Sequence, residues 1–277
     1  MSCATDAATR HAGRRKSARP KSRTLRVRPT DTGITVRLAQ SADEIVAAQR
    51  LRYDVFVREL GGDGPLVDHA AGLERDAFDP HVDHLLAIDR NTDAVVGVYR
   101  LLTDQGARDA GRFYSESEFD LSPLRASGRR LLELGRSCLH KDYRGGMALL
   151  ALWQGVARYV QAREIELLFG VASFHGTALA AIREPLSLLH HRHLAPEPLR
   201  VVSRDQPALD ILPEDRIDRR RAMLGVPPLI KAYLRLGGFV GQGVYVDHAF
   251  NTIDVCLIVD TARLSEQQKT HLARERV

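Results

Sequence analysis

The sequence predicts an α/β (α+β) fold, a single mixed sheet covered by helices. Three observations lead there. Strand-like and helix-like segments follow the order βα, then β-β-β, then βαβα, which suits one sheet with helices packed on it. About 247 residues follow a basic leader, enough for one large domain. Hydrophobic residues make up 44% of the chain, ordinary for a globular core.

Residues 34–39 read as a strand. Residues 43–60 read as a helix capped by Ser41 or Asp43, with Ile45, Ala48, Leu51, Val55 and Phe56 on its apolar stripe. The glycines and proline of 61–65 break it. Residues 73–84 form a loop rich in acids. Residues 85–89 and 95–102 read as paired strands turning at Asn91, Thr92 and Asp93. An irregular connection follows over 115–127. Residues 131–139 read as a central strand, 147–163 as a helix, 167–173 as a strand and 177–190 as a helix. Beyond Pro196 regularity falls. A helix is expected over 228–236, strands over 243–247 and 253–260, and a charged helix over 263–277. The resulting division is a disordered basic leader over 1–32, a domain over 33–262 elaborated from about 196, and that final helix.

The net charge of +5 is unevenly spread. The first thirty residues hold nine basic side chains against one acid, giving +8, so the remainder carries −3 (31 basic, 34 acidic). A nucleic-acid-binding body should cluster cations and aromatics on its folded surface, and a −3 body with 6% aromatics argues against one. The leader reads as a solvated tail, an attachment to an anionic membrane or acidic partner, or a targeting peptide. It lacks the apolar stretch of a twin-arginine signal and the large apolar residues of a membrane-lytic helix. No apolar run approaches the roughly 18–20 residues that span a bilayer. Three scattered cysteines, an odd number, fit a reducing compartment better than a disulfide framework.

The segment LLELGRSCL (131–139) carries the strongest chemical signal. Strand alternation puts Glu133, Gly135 and Ser137 on one face, and Leu134, Arg136 and Cys138 on the other. A charge in a central strand costs several kcal/mol unless it is paired or functional. Glu133 and Arg136 are therefore either partners in ion pairs, or a general base and a substrate anchor. Arg144, Gly145 and Gly146 then lead into a helix, a natural though common anion site. Arg52 and Phe56 share a helix face at i, i+4. Glu74, Asp76 and Asp79 are either solvated or paired with Arg52 and Arg100.

Asp76, Asp79, His81, Asp83 and His84 suit a hard cation, but the glycine-spaced calcium loop is missing. His190, His191 and His193 read as dipole partners at a helix end, and Cys138 as a small buried residue. The glycines at 238, 241 and 243 precede a strand, so the dinucleotide fingerprint fails its context.

Taken together these motifs resemble a known family. Arg52 and Phe56; Glu74, Asp76 and Asp79; Arg100 with Leu101 and Leu102; and Glu133 with Arg136 match, in order, the acyl-homoserine-lactone synthase branch of GNAT-fold acyltransferases. The later runs GVASFHG (170–176), PPLIKAYLRLG (227–237) and DHAFNTIDV (247–255) are similar to the L-ornithine Nα-acyltransferases of ornithine-lipid synthesis. The likeness covers roughly residues 34–262.

It implies a GNAT-like, mostly antiparallel sheet flanked by helices with a C-terminal elaboration. It implies transfer of a 3-hydroxyacyl group from acyl carrier protein to the α-amine of L-ornithine, or, alternatively, acylation of glutamine or glycine, or lactone synthesis. No bound cofactor or metal is implied. On this reading Glu133 is the base, directly or through water, with Arg136 beside it. Arg52, Phe56, Asp76, Asp79, Arg100, His175 and Asp254 bind the acceptor, with Tyr233 of second rank. Asp76 and Asp79 would hold an amine, and Arg52, Arg100 or Arg136 the carboxylate. Gly135, Ser137, Arg144, Gly145 and Gly146 receive the phosphopantetheine arm. The loop at 144–148 departs from the coenzyme A diphosphate pattern of general GNAT enzymes, which favours the single phosphate of a carrier protein. The implied location is cytoplasmic, peripheral on the inner face of the cytoplasmic membrane.

Overall fold

The computed structural model describes residues 33–264 except 66, 146 and 206. The basic leader, Gly146 and the segment from 265 onward where a charged helix is expected lie outside the described residues.

Strand β1 (Ile34–Leu38) leads to helix α1 (Ala42–Arg52). The Ser41 side chain accepts from the Glu44 N–H, and Asp43 and Glu44 sit in the first turn where the helix dipole favours acids. The chain continues as a π-helical segment, Tyr53–Glu59, so the single helix expected over 43–60 has two geometries.

Strands β2 (Asp83–Asp89) and β3 (Val95–Thr103) form the expected antiparallel pair. Helix α2 (Asp104–Asp109) follows, capped by Thr103. Its glycine hid it from propensity, yet the glycine is what lets it pack: a Cβ on Gly106 would lie 2.1 Å from the His81 carbonyl oxygen. The stretch read as irregular holds a 3-10 turn (Tyr114–Ser117), strand β4 (Phe119–Asp120) and helix α3 (Ser122–Ala126).

Strand β5 (Leu131–Leu139) is central, and helix α4 (Met147–Ala162) carries the chain to the parallel strand β6 (Leu167–His175). Helix α5 (Arg183–His193) starts later than expected, with Pro185 tolerated in its first turn. Strand β7 (Val202–Ser203) pairs with β4 in a separate two-stranded sheet. Helices α6 (Arg219–Gly225) and α7 (Pro228–Arg235) precede strands β8 (Phe239–Val240), β9 (Tyr245–Asp247) and β10 (Thr252–Asp260).

The main sheet has eight strands in the order β1-β2-β3-β5-β6-β10-β8, with β9 also on β10. Every pairing is antiparallel except β5 with β6. One face buries Leu132, Leu134, Leu152, Val156, Leu168 and Ile230 beneath α4 and α7. The other buries Ala48, Leu51, Val98 and Cys138 beneath α1, and Phe113, Phe119, Phe169 and Ile258 further along. Among the described residues no helix is long and apolar enough to cross a membrane.

Candidate active site

The β5–β6 pairing runs only from Leu131↔Leu167 to Glu133↔Phe169. Just beyond it the backbones approach closely, since a Cβ on Gly170 would lie 2.1 Å from the Leu134 carbonyl oxygen. They then part. The parted segments, 134–137 and 170–173, line a cavity of about 250 Å³ together with Phe56, Tyr99, Arg100, Glu133, Asp254 and others. A Cβ on Gly135 would meet nothing within 4 Å, so this wall is open to a ligand. Tyr99 and Tyr233 join hydroxyls at 2.7 Å on the cavity wall.

Strand β5 does not alternate as expected. Gly135 faces Arg100 but Cys138 faces Val98, so one extra residue sits on β5, and Arg136 adopts φ +50°. This β-bulge turns Arg136 to the same face as Glu133. There it joins five charged side chains. Arg52 Nε donates to Glu74 Oε2; its Nη1 and Nη2 donate to Asp79 at 2.7 and 3.0 Å. Arg100 donates to Asp76 at 2.6 Å and Asp79 at 3.0 Å. Arg136 Nε donates to Glu74 at 3.0 Å, and its guanidinium lies 4.8 Å from the ring centroids of both Tyr114 and Phe250. Three arginines thus meet three carboxylates.

Two expected roles change here. Arg52 is 0% exposed and cannot reach a substrate carboxylate. Asp79 accepts from Arg52 twice, from Arg100 and from Gln49, which occupies all the lone-pair directions of a carboxylate. It has no room for an amine; both residues hold the cluster together. Asp76 Oδ1 is tied to Arg100, and its Oδ2 lies 3.6 Å from Arg136 Nη2. Arg100 and Arg136 remain on the cavity wall.

The arginines hold Glu74, Asp76 and Asp79 below the ordinary carboxylate range, against the opposing effect of burial. Their stabilisation is present above the unfolded pKa, about 4, and is lost as pH falls through the lowered folded values. Thermal melts should therefore drop progressively below about pH 4; a melting temperature unchanged from pH 6 to pH 3 would contradict this.

Glu133 is 3% exposed and lines the cavity. Its Oε1 accepts from the Ser115 N–H (2.7 Å) and hydroxyl, and its Oε2 accepts from the Tyr114 N–H at 2.7 Å. Burial pushes its pKa up while these three donors pull it down. One of about four lone-pair directions stays unoccupied.

Beside Arg136 stands a cluster the sequence reading resolved only in part. Oxygen atoms of Glu118, Asp247 and Asp254 lie within 4.8 Å of one another. The pairs Asp247↔Thr252 and Tyr245↔Asp254 put both aspartates on one face of the β9–β10 hairpin. Glu118 follows the 3-10 turn that Glu133 anchors. Asp254 was named from the late-chain resemblance, and Asp247 stands in the same quoted run. Glu118 had no signal, since its neighbours only meet the hairpin through folding. Of the rings around Arg136, Tyr114 had no signal either, while Phe250 stands in the same quoted run as Asp247.

The remaining expected residues divide. Phe56 and Ser137 line the cavity. His175 is exposed at the end of β6 and is not part of the lining. Arg144 donates to the Leu139 carbonyl at 3.1 Å and to Glu59 at 2.7 Å, half-exposed at the start of the turn into α4, where Gly145 takes φ +76°. Burial pushes the Cys138 thiol up to about 12, which disfavours a nucleophilic thiolate.

A family model described as an acetyltransferase (GNAT) domain matches residues 51–154. The chain is 57% identical to an "L-ornithine N(alpha)-acyltransferase" of Rhodobacter capsulatus over 86% of its length and 94% of the relative's. It is 38% identical to a Brucella abortus protein of the same name, over 87% of this chain and 89% of that one. Among solved structures, a CoA-dependent acyl-homoserine lactone synthase aligns with a TM-score of 0.48 and 17% identity, over 83% of this chain and 81% of that one.

Proposed function

Because the chain belongs to the L-ornithine Nα-acyltransferases, GNAT-type acyltransferases, we propose that it moves a 3-hydroxyacyl group from acyl carrier protein to the α-amine of L-ornithine, giving lyso-ornithine lipid. The observation that carries the mechanism is the opening between β5 and β6, with Glu133 and Arg136 turned to one side of it.

The thioester arm enters along Gly135, which has no side chain to block it. Arg136 meets the α-carboxylate of ornithine, its guanidinium already oriented by Glu74 and two aromatic rings. The α-ammonium loses a proton to Glu133, directly or through one water, at the lone pair left unoccupied. The amine nitrogen attacks the thioester carbon, a backbone N–H of β5 stabilises the oxyanion, and the C–S bond breaks. The proton held by Glu133 passes to the leaving thiolate, and the freed carboxylate takes the second proton from the attacking nitrogen and releases it to solvent, which leaves a neutral amide.

The donor is a carrier protein, which brings one phosphate and an acidic surface to Arg144 and Gly145. Arg144→Ala should raise KM for the acyl carrier protein about fivefold, as an exposed charge contact of roughly 1 kcal/mol would. A change confined to the KM for ornithine would overturn this assignment. We place the enzyme in the cytoplasm, with its +8 leader held to the anionic inner membrane face. The proposal as a whole is tested by offering the same 3-hydroxyacyl chain on carrier protein and on coenzyme A, with ornithine, glutamine and glycine as acceptors. Acylated ornithine from the carrier protein is expected. Exclusive use of coenzyme A, or of glutamine or glycine, would refute the donor or the acceptor respectively.

A further inference from the structure

Two acidic groups stand in this site, and they differ in one respect. Glu74, Asp76 and Asp79 are matched by Arg52, Arg100 and Arg136. Glu118, Asp247 and Asp254 make no such ion pair among the described residues. Glu118 is 3% exposed and Asp254 4%. Glu118 Oε2 and Asp254 Oδ1 are buried without a hydrogen-bond partner among the described residues. Asp247 and Asp254 line the cavity. A buried carboxylate oxygen without a partner is costly, so Glu118 and Asp254, which meet the half-buried Asp247 at the cavity wall, form with it a receptor for a cation.

Resting on the reading that ornithine is the acceptor, we infer that Glu118, Asp247 and Asp254 bind its side-chain δ-ammonium and so select ornithine over neutral amino acids. The α-amine is excluded by its chemistry. It must lose a proton to attack, and three carboxylates around it would hold that proton on. The δ-amine must do the opposite: it stays protonated, and therefore unreactive, throughout the cycle. Carboxylates on one side and Arg136 on the other then bind the acceptor by its two charged ends. The α-nitrogen is left near Glu133 and the thioester.

The surroundings give the cluster a pH signature. Burial, with Asp254, Asp247 and Glu133 nearby, pushes Glu118 up to about 9 against the pull of Arg136. Burial and Asp247 push Asp254 up to about 6, against Ser173, Thr252 and Arg136. Tyr114, Tyr245 and Cys256 also face these acids. The ligand-free cluster thus carries protons that a bound ammonium displaces. Affinity for ornithine rises as pH climbs from about 6 to about 9, until the δ-amine itself deprotonates near its ordinary value of about 10.4.

The test compares L-ornithine with L-norvaline, the same skeleton without the δ-amine, using full-length protein and 3-hydroxyacyl carrier protein. The wild-type ratio of kcat/KM, ornithine to norvaline, should be about 100 or more. It should grow between about pH 6 and pH 8, where both α-amines are mostly protonated and their ionisation changes the two rates in parallel. In Asp254→Asn and Glu118→Gln the ratio should fall at least tenfold and its pH dependence should flatten. A wild-type ratio near one, a ratio flat with pH, or a ratio unmoved in both variants would overturn the inference. So would activity abolished by a chelator and restored by magnesium or calcium, which would make the cluster a metal site. The wild-type pH series needs no variant and stands if either fails to fold. Equal acylation of ornithine and norvaline refutes this inference alone, whereas acylation of neither refutes the function on which it rests.

Discussion

Glu133→Gln is expected to lower kcat by about 10²–10⁴-fold, the usual contribution of a positioned proton acceptor, while KM for ornithine stays within about threefold. The substitution removes the charge that takes the α-ammonium proton. It also turns an N–H₂ toward either the Tyr114 N–H or the Ser115 donors, which the carboxylate now satisfies. A purely structural Glu133 would give a different pattern. Loosening the 114–118 turn would displace Tyr114 and Glu118 together, raising KM and lowering the melting temperature with little change in the shape of the pH profile. Steady-state kinetics across pH 6 to 9, with calorimetry beside it, separates the two. Turnover near wild type would remove Glu133 from the chemistry.

Arg52→Met is expected to cost about 3–5 kcal/mol of stability, because it leaves three buried carboxylates facing only Arg100 and Arg136. For a domain of this size that is a fall in melting temperature of roughly 6–20 °C. Arg52→Lys should rescue little, since a single ammonium cannot reproduce the fork that reaches both carboxylates and the Glu74 carbonyl. Calorimetry of the two variants decides it; a loss below about 1 kcal/mol would show the cluster contributes little to the fold.

Much of this architecture was legible in the sequence because its signals are local. Strand β5 coincides with its expected bounds, since LLELGRSCL is apolar enough to be central and is bracketed by polar turns. Helix α4 lies between a glycine turn and the Arg163–Glu164 break. The short elements were lost for the opposite reason. Helices α2 and α3 contain Gly106 and Pro123, and their stability comes from packing rather than propensity.

Within the site, strict alternation along β5 failed at one residue. The Arg136 bulge has no sequence marker, because an arginine at φ +50° is a tertiary outcome. That one residue decides that Glu133 and Arg136 share a face. The charges around Arg52 were visible as a set, but whether Asp79 meets a ligand or an arginine depends on burial. Glu118 could be joined to Asp247 and Asp254 only once the 3-10 turn and the β9–β10 hairpin were brought together.

The central claim is acyl transfer to the α-nitrogen of ornithine while the δ-nitrogen is held as a cation. The most direct measurement is one incubation of the protein with 3-hydroxyacyl carrier protein and L-ornithine carrying heavy nitrogen at the α position, followed by fragmentation of the product in a mass spectrometer. The predicted result is a single acyl amide that retains the heavy nitrogen. An acyl group on the light δ-nitrogen, or no acylated ornithine at all, would contradict the account.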